Sequence, residues 1–225
     1  MNYTQEILRK IENNTEVVGI IGLGYVGLPL AVNFAEAGVK VIGFDKSEAK
    51  VNKINSGENY IKDIRDAVLR EVVDTVALEA TTDFTRMKEC DALIICVPTP
   101  LDKFRKPDMS YIEASCEAIG KHMKPGTFIS LESTTYPTTT EDFMLPIINE
   151  GIKTNPNFKD VTLSPSADGK GSSSNLPPSG GSRGAAFWLA YSPERVDPGN
   201  KSFHTKNTAK VLGAMTEDGL IIGEA

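Results

Sequence analysis

The 225-residue sequence predicts an α/β fold, a doubly wound parallel sheet with helices on both faces. Three observations carry this. Short apolar runs alternate with segments of helical period from the N-terminus as far as Glu150. The runs are apolar on both faces, as in Asp91-Ala92-Leu93-Ile94-Ile95-Cys96-Val97, which a sheet covered on each side requires. The first run, Val17 to Ile21, passes through Gly22-Leu23-Gly24-Tyr25-Val26-Gly27 directly into a helical pattern.

Each element follows in order. Residues 5–13 read as a short amphipathic helix, and Val17 to Ile21 as the first strand. In the turn that follows, Gly22 permits the tight exit from the strand, Gly24 lets backbone approach a pyrophosphate, and Gly27 lets helix pack on strand. A glycine pattern of this kind is weak alone, since glycines also mark ordinary turns. Leu28 to Ala37 has the helical period, with Pro29 in its first turn and Gly38 as its stop. Val39 to Phe44 is the second strand and delivers Asp45, an acid where a Rossmann-like fold needs one for the adenosine ribose, about 20 residues beyond the glycine turn. Its charge opposes a 2′-phosphate, so the cofactor implied is NAD. The plainer reading is that Asp45 starts the turn before a helix at Ser47 to Asn55; the surrounding βαβ frame favours the ribose role.

Asp63 to Val73 reads as a helix, Leu78 to Thr81 as a strand, and Asp91 to Val97 as a central strand ended by Pro98-Thr99-Pro100. The charged loop after it, with Asp102, Lys103, Arg105 and Lys106, lies at the strand ends where open α/β sheets bind ligands. Ser110 to Met123 is a helix and Thr127 to Leu131 a strand. That strand ends in Glu132-Ser133-Thr134-Thr135-Tyr136-Pro137, and a helix follows from Thr138 to Glu150, with Thr138 or Thr139 as its cap. From Ser164 to Gly184 the chain is mostly Ser, Gly and Pro, too poor in large apolar side chains to offset its ordering entropy, and reads as a disordered insertion. Ala186 to Tyr191 is the next strand, Ser192-Pro193-Glu194-Arg195 follows, and Lys210 to Gly213 reads as one more short strand. The domain expectation is therefore residues 1–155 as an NAD-binding domain, 156–185 as the insertion and 186–225 as the completion of that domain.

Composition narrows the function. A hydrophobic share of 40% and a charged share of 24% are ordinary for a globular protein, and a net charge of −6 argues against nucleic acid or an anionic membrane as the main partner. The first residues lack the apolar core of a signal peptide, and no apolar run approaches the roughly 18 residues of a membrane span. Cys90, Cys96 and Cys116 show no CxxC spacing, so neither a zinc site nor a redox pair is expected. Three cysteines without a secretion signal fit a reducing, cytoplasmic location.

Four stretches together resemble the UDP-glucose/GDP-mannose dehydrogenase family: Gly22 to Pro29, Val97 to Asp102, Glu132 to Pro137, and Ser192-Pro193-Glu194-Arg195-Val196-Asp197-Pro198-Gly199. The last of these and the Val97 to Asp102 loop look most like the branch that oxidises UDP-N-acetyl-hexosamines such as UDP-N-acetylglucosamine at C6. The resemblance implies two successive hydride transfers to NAD, from alcohol through aldehyde to acid, with a cysteine holding the aldehyde. It implies cofactor contacts at Gly22, Gly24, Tyr25, Val26, Gly27, Asp45, Val97, Pro98, Thr99, Ser133 and Thr134. It also implies that Thr134 helps to position a catalytic water and that Glu194 is an acid of the active-site loop. The plainer readings are a turn cap for Thr134 and a surface acid for Glu194. The family's nucleophilic cysteine lies in a glycine-rich motif, and none of the three cysteines has that setting. The expectation is thus the NAD-binding part of a nucleotide-sugar 6-dehydrogenase, ending before the central helix and the UDP-sugar domain, incomplete as an enzyme alone. UDP-sugar would be a partner only when that part is supplied, and the family's homo-oligomer contacts rest largely on it. The alternative is a non-catalytic NAD-binding or regulatory fragment. A different NAD-dependent family, such as the 3-hydroxyacid dehydrogenases, would share the glycine turn but not the stretch around Glu194.

Overall fold

The computed structural model describes residues 2–101, 103–159, 161, 187–195 and 208–225. Among them, seven strands form one sheet in the order β3-β2-β1-β4-β5-β6-β7. The strands are β1 (Val17–Ile21), β2 (Lys40–Phe44), β3 (Leu78–Thr81), β4 (Ala92–Ile95), β5 (Thr127–Leu131), β6 (Phe187–Tyr191) and β7 (Gly213–Ala214). The first six are parallel, and β7 runs antiparallel to β6. From β1 the chain builds outward to β3, then returns to the other side of β1 as β4. The crevice of such a sheet opens at that reversal, beyond the C-terminal ends of β1 and β4.

The period-2 alternation of strand side chains divides the core. Ile20 and Val41 face one side, where α2 (Gly27–Glu36), α3 (Glu48–Asn55) and α4 (Asp66–Asp74) pack on them. Ile21, Ile42, Ile95 and Leu131 face the other, under α5 (Ser110–His122) and α6 (Leu145–Ile152). Phe128 and Trp188 are covered by α1 (Tyr3–Glu12) and α7 (Glu217–Glu224). Each fully buried Ile or Leu in these layers contributes about 2 kcal/mol by leaving water. Helix α2 stops as its sequence requires. Gly38 adopts φ +92°, its N–H reaches the Ala35 carbonyl at 3.0 Å, and the Val39 N–H reaches Phe34 at 3.1 Å, the paired bonds of a Schellman stop.

The structure departs from the sequence expectation in identifiable places. The helix expected from Thr138 to Glu150 is a π-helix over Thr139–Met144 followed by α6, and neither threonine caps it by a side-chain bond. Thr138 instead takes the left-handed region at φ +69°, which is costly for a β-branched residue. Helix α4 begins at Asp66, not Asp63, and β4 is shorter than the run Asp91 to Val97. The strand expected at Lys210 to Gly213 forms at Gly213–Ala214. A 3-10 helix at Phe84–Glu89 and helix α7 had no clear periodic signal, the first being too short and the second carrying two glycines. Ordered chain continues past the boundary expected at 155: Pro156–Phe158 form a 3-10 turn, and Phe158 is buried in the layer under α5 and α6. The Ser/Gly/Pro stretch Ser164 to Gly184 lies outside the described residues, as do Asp102 and Val196 to Gly199.

Candidate functional site

The site begins where β1 ends. Gly22 has φ +91°, and its N–H donates to the Phe44 carbonyl at 2.8 Å, tying the turn to the end of β2. A Cβ there would lie 2.9 Å from the Cys96 carbonyl oxygen. A Cβ on Gly27 would lie 1.9 Å from the Gly22 carbonyl oxygen, so α2 starts directly on the turn only because that position has no side chain. Gly24 is different: a Cβ there would meet nothing within 4 Å. Two of the three glycines are therefore required by the protein's own packing, whereas the space beside the third is open. Val26 precedes α2 without any side-chain cap, so the positive end of the helix dipole is available to an anion.

This turn forms one wall of a cleft of about 670 Å³. Gly22, Gly24, Tyr25 and Val26 line it, with Asp45 from the end of β2 and Val97 and Pro98 from the end of β4. Asp45 is half-buried and held in place. Its carboxylate accepts from the Leu23 N–H at 3.0 Å and the Ser47 N–H at 2.9 Å, and the Lys50 ammonium donates to it at 3.0 Å. The Tyr60 hydroxyl donates to the Leu23 carbonyl at 2.6 Å. Burial, reinforced by the Asp45 charge, pushes the Tyr60 hydroxyl's pKa well above the usual phenol range, so it remains a donor.

A second group lies beside the cleft, at the ends of β4, β5 and β6, and does not line it. Thr99 donates to the Thr134 carbonyl at 2.8 Å, and Ser133 donates to the Val97 carbonyl at 2.7 Å, so these two hydroxyls brace neighbouring strand ends. Thr134 is exposed. The Glu194 N–H donates to the Glu132 carbonyl at 3.1 Å, which fixes Glu194 next to that strand end. The buried Glu132 carboxylate pairs with Lys210. Burial raises its pKa above the usual carboxylate range, against the opposing pull of Lys210. Gly27 is likewise not a lining residue; it serves as the seat of α2. The three cysteines are all buried. Burial pushes the Cys90 thiol up to about 12 and raises Cys96 and Cys116 too, so none is a ready nucleophile.

Sequence reasoning did not single out Lys50, Tyr60, Phe84 or Tyr111, all of which line the cleft. Lys50 follows Asp45 by little more than one helical turn, a spacing that could have been read. Tyr60 sits in an aperiodic connection, and Phe84 in the 3-10 helix. Tyr111 looked like an ordinary residue of α5. Among the described residues no helix is long and apolar enough to cross a membrane.

Comparison with known proteins agrees with this geometry. Residues 16–224 match the NAD binding domain of the UDP-glucose/GDP-mannose dehydrogenase family. The chain is 30% identical over 203 residues to a UDP-N-acetyl-D-glucosamine 6-dehydrogenase of Pseudomonas aeruginosa, covering 89% of this chain and 40% of the relative. It is 34% identical over 200 residues to a UDP-N-acetyl-D-mannosamine dehydrogenase of Salmonella typhimurium, covering 88% and 42%. A solved NDP-N-acetyl-D-galactosaminuronic acid dehydrogenase of Methanosarcina mazei superposes with a TM-score of 0.76 at 29% identity, over 99% of this chain and 43% of that one. The chain thus spans about 40% of the length of the curated relatives it matches. A glycine turn against an uncapped helix, an acid at the end of the next strand and a family match across nearly every described element converge: the chain belongs to the UDP-glucose/GDP-mannose dehydrogenase family, as an NAD-binding domain.

Proposed function

We propose that this chain is the cofactor-holding part of a nucleotide-sugar 6-dehydrogenase, acting on a UDP-N-acetyl-hexosamine in the supply of polysaccharide precursors. The observation that carries the reading is the open space beside Gly24 at the uncapped start of α2, within a cleft that also presents Asp45. The residues fit a dinucleotide. Gly22, Gly24, Tyr25 and Val26 would face the pyrophosphate, Asp45 would accept from the adenosine ribose hydroxyls, and Val97 and Pro98 would line the cleft from the end of β4. Bound there, NAD supplies a hydride acceptor for a sugar alcohol. Thr99 and Ser133 hold the two strand ends together, which sets where Thr134 presents its hydroxyl. Thr134 would help to position a catalytic water, and Glu194, tied to Glu132 through the backbone, would be the acid of the active-site loop. Residues 1–155 and 186–225 form one NAD-binding domain, to whose core Phe158 also belongs, in a cytoplasmic protein. The nucleotide sugar and a homo-oligomer are engaged through parts of the family's fold that these residues do not include.

A specific observation favours a second reading for these residues acting alone: every thiol is buried with its pKa raised. With no thiolate to hold an aldehyde, they bind NAD without carrying the oxidation through to the acid. The test is incubation with NAD and UDP-N-acetylglucosamine or UDP-N-acetylmannosamine, followed by absorbance of reduced nicotinamide and by analysis for uronic acid. NAD binding with no steady uronic acid is expected. Steady uronic acid formation by residues 1–225 would show that a nucleophile is present and overturn the assignment as a cofactor-holding part.

A further inference from the structure

We infer that Tyr60 is a positioning residue of the cofactor site, one that orients the Leu23–Gly24 peptide toward its ligand-binding geometry. The inference rests on the reading of the cleft as the NAD site. Its basis is a continuous run of hydrogen bonds around one turn residue. Leu23 is gripped on both sides: its N–H by the Asp45 carboxylate at 3.0 Å, its carbonyl by the Tyr60 hydroxyl at 2.6 Å. The Leu23 side chain is fully buried, so the residue cannot swing out as a whole. A trans peptide is planar, and its N–H points opposite to its carbonyl. Holding the Leu23 carbonyl against Tyr60 therefore turns the Gly24 N–H the other way and keeps an electronegative oxygen from rotating into the open space at Gly24. A carbonyl turned into that space would repel a phosphate; a fixed N–H would not.

Tyr60 is itself firmly based, although it lies in the connection between α3 and α4. Asn59 accepts from the Ile61 N–H at 2.8 Å, and its amide donates to the Ile64 carbonyl at 2.6 Å and to Asp66 at 2.9 Å. Ile61 is buried and lines the cleft beside Tyr60. The hydroxyl thus comes from an anchored segment. Like any tyrosine hydroxyl it is protonated at physiological pH, and burial shifts it further in that direction.

A role confined to stability would lower the melting temperature and leave affinity unchanged in protein that is still folded. A positioning role changes affinity, and does so unequally among adenine nucleotides. Binding of AMP, ADP and NAD to the 225-residue chain is measured by calorimetry for the wild type, Tyr60→Phe and Asp45→Asn, at a temperature where circular dichroism shows each folded. Tyr60→Phe keeps the ring and removes the hydroxyl. It is expected to weaken ADP and NAD by about threefold to tenfold, the effect of losing one hydrogen bond, while AMP changes by less than about twofold. Asp45→Asn is expected to weaken all three. If Tyr60→Phe leaves ADP and NAD unchanged while Asp45→Asn weakens them, Tyr60 is not a positioning residue and the site reading stands. Equal weakening of AMP and ADP in Tyr60→Phe would place its effect on the adenosine half and overturn the inference. If Asp45→Asn weakens none, the site reading fails and the inference fails with it.

Discussion

The three glycines of the turn look alike in the sequence and differ in what they do. Gly27 is held by the protein: any side chain there runs into the Gly22 carbonyl, backbone that cannot move aside without shifting β1 or α2. Gly24 faces open space, so the fold does not require the absence of a side chain there. The two substitutions should therefore separate stability from binding. Gly27→Ala is expected to cost about 3 kcal/mol or to prevent folding. Gly24→Ala should stay within about 0.5 kcal/mol of the wild type by urea denaturation, yet lose NAD binding by about tenfold or more. Similar destabilisation in both would remove the distinction. The same scale shows why Asp45 was legible and its partners were not. Asp45 is announced by its place at the end of an apolar strand after a glycine turn. Tyr60 reaches the turn from a connection that has no period to read, and only the folded geometry brings it to Leu23.

At the scale of elements, strands and helices with a strong period appeared where expected, and discrepancies gathered where a local bond decides the ending. The polar strand end Glu132 to Pro137 was legible as a break in the sheet. The left-handed Thr138 and the π-helix after it were not, because side-chain bonds such as Thr139 to the Tyr136 carbonyl at 2.7 Å shape that turn. Helix α1 is a clearer case of tertiary control. Its Lys10 and, from the α5–β5 turn, Lys124 each lie 2.7 Å from the Asp91 carboxylate, which also accepts from the Val17 N–H at 3.0 Å. Burial opposes the Asp91 charge, but the two ammonium groups and the amide outweigh it and hold its pKa below the usual carboxylate range. A carboxylate with a lowered folded pKa stabilises fully above its unfolded value, about 4, and loses that contribution as pH falls through the folded value. Asp91→Asn is thus expected to cost about 3 kcal/mol at pH 7, with the gap from the wild type closing below about pH 4 in denaturation measurements. A gap independent of pH would mean that the ion pairs are not what ties α1 to the sheet.

At the scale of the whole molecule, the strand order explains why the site lies where it does. The reversal at β1 leaves the ends of β1 and β4 without a covering helix between them, and the cleft occupies that gap. Of the residues expected at the cofactor, Gly22, Gly24, Tyr25, Val26, Asp45, Val97 and Pro98 line one cavity, whereas Gly27 seats α2 and Thr99, Ser133 and Thr134 lie beside the cavity at the ends of β4 and β5. That architecture was legible because alternation of apolar runs and helical segments is a property of the whole chain, insensitive to errors of a few residues at each boundary. Which of the expected residues line the cleft and which lie beside it was not, because that depends on which hydroxyls are already committed to bracing the backbone. The most direct test is calorimetric titration of NAD into the 225-residue chain and its Asp45→Asn variant. Saturable binding at one site per chain, weakened about tenfold or more in the variant, is the expected result. No binding by the wild type, or equal affinity in the two proteins, would contradict the assignment of this cleft as the NAD site.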